Sequence, residues 1–146
     1  MGNYVERNLI AGEQVVYETR IHPIIFLPPG AVIVLGIGLG VGLSPPAGLV
    51  VLAFGVLMLI GAWIRQWSGE FAVTNKRVIV KVGFISRRTI EINMSKVESI
   101  EVNQDIFARL LNYGTIMVIG TGGTKEPFDL IDDPLAFRRA VQSQQA

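Results

Sequence analysis

The chain has 146 residues, half of them hydrophobic and only 17% charged, below the roughly 25% charge of ordinary soluble domains. Its net charge of +1 supplies no broad field to hold a polyanion, so no nucleic-acid partner is expected. The absence of cysteine excludes disulfides, thiolate nucleophiles, iron–sulfur clusters and thiolate zinc sites.

Residues 1–23 contain Glu6, Arg7, Glu13, Glu18 and Arg20 and lack the basic start, short apolar core and small-residue cleavage site of a signal peptide. They read as a cytoplasmic N-terminal segment. Residues 24–64 follow without a single charge, about twice the length one helix needs to cross a bilayer. The run divides at Ser44-Pro45-Pro46, where the second proline forbids a helical conformation at the first. The reading is a transmembrane helical hairpin with spans at about 24–43 and 46–64, Pro46 falling in a first helical turn.

Pro28-Pro29-Gly30 requires the first span either to begin near Leu27 or to kink. Gly36 and Gly40 have the spacing that lets two membrane helices approach closely. Trp63 and Trp67 suit the membrane interface, and Arg65 can extend its guanidinium to lipid phosphate. Arg7 and Arg20 precede the hairpin, Arg65, Lys76, Arg77 and Lys81 follow it, and the connecting turn has no Lys or Arg. That asymmetry predicts a multi-pass protein of the cytoplasmic (inner) membrane with both termini in the cytoplasm.

Residues 68–146 change to short β-rich runs between turn residues, the texture of an antiparallel sandwich or barrel. Phe71–Thr74 reads as a strand and Asn75-Lys76 as its turn. In Arg77–Val82, Val78, Val80 and Val82 face inward and Arg77, Ile79 and Lys81 outward. Gly83-Phe84 turns the chain into Ile85–Asn93, with Ile90 and Ile92 inward. Val97–Asn103 is a further strand, and Asp105 caps a helical turn that Asn112-Tyr113-Gly114 ends. Thr115–Ile119 and Glu126–Leu130 form a hairpin through Thr121-Gly122-Gly123-Thr124. Asp133-Pro134 opens a C-terminal helix whose apolar side is Leu135, Phe137, Ala140 and Val141.

This order of residues resembles the bacterial pleckstrin-homology (PH)-like domains, in particular the short membrane-anchored kind called YdbS-like. The resemblance rests on Leu9, Gly12-Glu13 and His22-Pro23, then Thr74, Arg77, Gly83, Arg87, Glu91, Lys96-Val97 and Gln104. It continues through Arg109-Leu110, Tyr113-Gly114-Thr115, and Asp133-Pro134 with Phe137. It implies a mainly β PH-like barrel of two antiparallel sheets, about seven strands in all, plugged by a C-terminal α-helix. Of activity it implies little.

No catalytic constellation is apparent. His22 is the one histidine and cannot form a multi-histidine metal site. Asp132-Asp133 is better placed to cap a helix than to exchange protons. The expectation is a non-catalytic module without metal or cofactor. Arg65, Lys76, Arg77, Lys81, Arg87 and Arg88 form a candidate surface for docking or anionic lipid, each near an anionic leaflet contributing around 1 kcal/mol. The plain alternative is that they are solvated strand faces. The function expected is a scaffold or accessory subunit that docks protein partners or its own copies at the cytoplasmic membrane face. The alternative is a sensor of anionic phospholipid headgroups.

Overall fold

The computed structural model describes residues 3–83 and 85–145, which fall into two compact units, Met1–His22 with Ser68–Ala146 and, between them, Pro23–Trp67. The first unit is a pair of antiparallel sheets. One orders β1 (Val15–Thr19), β2 (Glu70–Thr74), β3 (Arg77–Val82) and β4 (Arg88–Asn93) in sequence; the other orders β5 (Val97–Asn103), β6 (Tyr113–Gly120) and β7 (Lys125–Asp132). Val and Ile fill much of the inward faces, and in β6 a strict period-two alternation separates buried from less buried positions. Phe71, Val73, Val78, Val80, Ile116 and Val118 are all buried.

The sheets meet along β1 and β7. Ile21 bridges Ile131, the His22 N–H donates to the Leu130 carbonyl at 2.6 Å, and the Asp132 N–H donates to the Arg20 carbonyl at 2.9 Å. The C-terminal helix, Pro134–Gln145, lies against strands of both sheets and buries Phe137 and Val141. Asp133 Oδ1 accepts the Ala136 N–H at 3.3 Å at its start.

Two features depart from the sequence reading. Residues 15–19, expected in a segment separate from the barrel, supply edge strand β1, which pairs with β2 through Thr19 and Phe71. The outward face of β3 is also covered. Helix α1 (Asn3–Arg7) lays Val5 against Ala72 and Ile79, with Tyr4, Leu9 and Val15 around them, so Ile79 is 0% exposed. The sheet is apolar on both faces there because both are buried. The expected turn at Gly83-Phe84 includes Phe84, which lies outside the described residues. Gly83 itself has φ +93°, and a Cβ there would strike the Ser86 carbonyl oxygen, so the turn needs glycine.

The second unit is a helical hairpin. A 3-10 turn at Pro23–Phe26 leads into α2 (Leu27–Gly42), and α3 spans Pro45–Ser68. Pro28 and Pro29 sit in the first turn of α2, where their missing N–H groups cost nothing. The two helices meet through glycine. A Cβ on Gly36 would lie 2.7 Å from the Leu52 nitrogen, and one on Gly48 would overlap Gly40 Cα. A Cβ on Gly40 would meet Gly48 Cα at an ordinary van der Waals distance, 3.5 Å. Away from that seam the apolar side chains point outward, as with Val34, Val41, Val50, Phe54 and Leu57, all at least 60% exposed.

Candidate functional site

Of the six basic residues singled out from the sequence, Arg65 belongs to the helical unit, and the five in the barrel unit do not assemble into one surface. Arg77 is the clearest departure, because its outward strand position falls under the N-terminal segment. Its Nε donates to Glu13 Oε1 at 2.9 Å, Nη2 to Glu13 Oε2 at 3.1 Å and to the Asn8 carbonyl at 2.6 Å, and Nη1 to Glu91 at 2.6 Å. Its side chain is 12% exposed, so this guanidinium holds the fold together and is not part of a docking surface. Lys76 donates to the Ala11 carbonyl at 2.7 Å, which ties it to the same N-terminal segment.

Glu13 completes that cluster. Its side chain is fully buried and also accepts the Thr74 hydroxyl at 2.7 Å and the Ile10 N–H at 2.9 Å. Burial pushes its carboxyl up, but hydrogen bonds from Arg77, Ile10 and Thr74 together with the Arg77 charge outweigh that push. The net result is a pKa below the usual carboxylate value.

The other cations lie elsewhere. Arg88 pairs with Glu126 at 2.9 Å while 66% exposed. Lys81 is half-buried opposite Glu70, and Arg87 is exposed on the turn between β3 and β4. Arg65 is exposed on α3, near Trp63 and Trp67, whose rings stack at 6.5 Å.

The barrel unit holds a cavity of about 330 Å³ where β1 ends and β2 begins. Tyr17, Arg20, Glu70, Asp132 and Asp133 are among its walls. Glu70 is only 9% exposed; its Oε1 accepts the Tyr4 N–H at 3.3 Å, and its Oε2 has no hydrogen-bond partner among the described residues. Burial, then the charge of Asp133, raises the Tyr17 phenol above its ordinary value. The acidic lining disfavours a phosphate and suits a cationic group. Sequence reading missed this cavity because Glu70 lies some fifty residues from Tyr17 and Arg20.

A six-residue helix, α4 (Ile106–Leu111), joins β5 to β6. Asp105 caps it, accepting the Ala108 N–H at 2.7 Å, and Asn112 ends it with φ 60°. The ring of Tyr113 lies 5.3 Å from that of His22, whose Nε2 is 3.8 Å from Asp132. Thus the one histidine sits where the chain leaves the barrel for the helical hairpin.

A family model described as "Bacterial PH domain" matches residues 24–145. Among solved structures, the chain is similar to a DUF1696 family protein with a pleckstrin-homology domain from Shewanella loihica. The two share 9% identity and a TM-score of 0.54 over 99% of this chain and 93% of that one; at that identity the likeness speaks for the fold alone. No curated protein matches the chain at a significant level.

Proposed function

The chain belongs to the bacterial PH domain family, and from that premise we propose that it is a membrane-anchored, non-catalytic module that docks other proteins at the cytoplasmic face of the cell membrane. The observation that carries the anchoring is the exposure of the hairpin. Its helical segments, Pro23–Gly42 and Pro45–Ser68, have mean hydropathies of 2.3 and 2.5, yet only 17% and 11% of their most apolar stretches are buried. Core helices of soluble proteins bury such residues, whereas a bilayer is the solvent in which they stay outward. Twenty helical residues also rise about 30 Å, the thickness of the hydrocarbon layer.

The sheet constrains topology further. That β1 precedes the hairpin and β2 follows it as its direct neighbour supports a reading in which the chain leaves and returns on one side of the membrane. The Lys and Arg asymmetry names that side as the cytoplasm.

Protein docking is favoured over headgroup sensing by the fate of the cations. A phosphate-binding pocket needs convergent basic groups, whereas Arg77 and Lys76 are committed to the N-terminal segment and the cavity is acidic. The lipid reading keeps support from Arg65, Lys81, Arg87 and Arg88. Extraction with the native lipid belt, followed by sizing and identification of what co-purifies, tests the choice. A stoichiometric protein partner or a defined oligomer is expected, and recovery of a lone protomer with enriched anionic lipid would favour the alternative.

A further inference from the structure

The two points where the chain leaves and re-enters the barrel unit are each flanked by apolar side chains left outside its core. Beside the exit is α4, in which Ile106, Phe107 and Leu110 are 76%, 71% and 76% exposed and Ala108 is the buried residue. The helix is placed there by contacts within the barrel unit. Its cap, Asn112, accepts the Asp133 N–H at 3.0 Å, and the next residue, Tyr113, lies ring to ring with His22, the last residue before Pro23. Beside the re-entry is the turn between β3 and β4. Lys81 is opposite Glu70, two residues after Ser68, and the turn beyond it presents Ile85 at 97% exposure with Arg87 exposed two residues later.

A short helix in water ordinarily turns its large apolar residues inward. Here the small alanine is buried and the bulky residues point out, and a contiguous exposed apolar group of this kind marks a contact. We infer that α4, with Ile85 as a second foothold, inserts into the interfacial layer of the same bilayer that the hairpin spans. This rests on the membrane-anchored reading proposed above.

The occupant follows from position and chemistry. The exit and re-entry segments are a few residues long, and each residue extends at most about 3.6 Å, so the chain itself holds both footholds close to the lipid. Apolar side chains that sink to the headgroup and acyl boundary, with cations beside them, are how interfacial helices bind. Arg109 on α4 and Arg87 on the turn, both exposed, supply those cations.

The cysteine-free sequence permits single-cysteine variants of the full chain, labelled with an environment-sensitive fluorophore and reconstituted in phosphatidylethanolamine–phosphatidylglycerol vesicles. Phe107→Cys and Leu110→Cys are expected to give blue-shifted emission that lipids spin-labelled near the headgroup largely quench. Lys125→Cys, at the start of β7, stays water-like and unquenched. Leu57→Cys, in α3, reports on the anchor separately through a deep acyl-chain spin label. Water-like, unquenched emission at both α4 positions with Leu57→Cys quenched overturns the inference and leaves the anchor standing. Shielded but unquenched emission at α4 overturns it in favour of a protein contact, a second copy included. An unquenched Leu57→Cys overturns both readings.

Discussion

Arg77 and Glu13, 64 residues apart in sequence, are joined by two parallel hydrogen bonds of 2.9 and 3.1 Å beneath the N-terminal segment. This fork-to-fork pair, with Asn8, Glu91 and Thr74 around it, fastens residues 8–13 to the turn between β2 and β3. Removing one partner of a buried pair leaves the other charge desolvated. Glu13→Ala is therefore expected to destabilise the barrel by about 3 kcal/mol. Thermal melts of the detergent-solubilised protein check this, and a melt unchanged from the parent would refute it.

The same pair predicts an acid limb. Because the folded state lowers the Glu13 pKa, the unfolded state binds the proton at higher pH. The stabilisation is complete above the ordinary glutamate value and is lost as pH falls through the lowered native one. Glu13→Gln is expected to flatten that part of the melting-temperature profile while leaving its neutral and alkaline parts parallel to the parent.

Gly48 and Gly38 give opposite expectations for the hairpin. A side chain at Gly48 meets the Gly40 backbone, whereas one at Gly38 meets nothing within 4 Å. Gly48→Leu should cost about 1–3 kcal/mol through forced separation of the helices. Gly38→Leu should leave the aggregation temperature in detergent where it was. Equal behaviour of the two variants would show that the glycine seam does not hold the spans together.

Arg87 and Arg88 are expected to separate docking from folding. The Arg88–Glu126 pair is solvent-exposed, and such pairs contribute little. Replacing both arginines by alanine should change stability by no more than about 0.5 kcal/mol. Enrichment of anionic lipid in the extracted belt should fall while a co-purifying protein is still recovered; loss of the protein instead would place these arginines in its docking surface, and loss of neither would make them solvated surface.

Topology is open to direct labelling. A cysteine at Ser44, in the turn between α2 and α3, should react with an impermeant reagent outside intact cells. One at Ser143, exposed on the C-terminal helix, should react only after permeabilisation. The reverse pattern would invert the protein.

Most elements of the fold were legible because their signals are local. The charge-free run, the double proline, the alternation of β3 and β4, and the caps at Asp105 and Asp133 each act within a few residues. Arg77 reads as outward because period-two alternation separates the two faces of a strand without saying what covers them, and its partners Asn8 and Glu13 come from more than sixty residues away. Strand β1 went unassigned for a related reason. Val15, Tyr17 and Thr19 do alternate, but an isolated five-residue strand has no meaning until β2 supplies the partner. The acidic cavity needs that pairing too, since the Thr19–Phe71 register brings Glu70 to Tyr17 and Arg20.

That register also bears on how the molecule is made. If the hairpin spans the bilayer as proposed, β1 emerges before it and must wait, unpaired, until the hairpin is threaded and β2 follows. Were one span to insert in the wrong direction, the two strands would be stranded in different compartments, leaving Val73 and Ile79 uncovered and the Glu13 carboxylate without Arg77. On the membrane-anchored reading, closure of the sheet would report on threading: a correctly threaded chain would bury these strands, and a misthreaded one would leave them open to proteolysis.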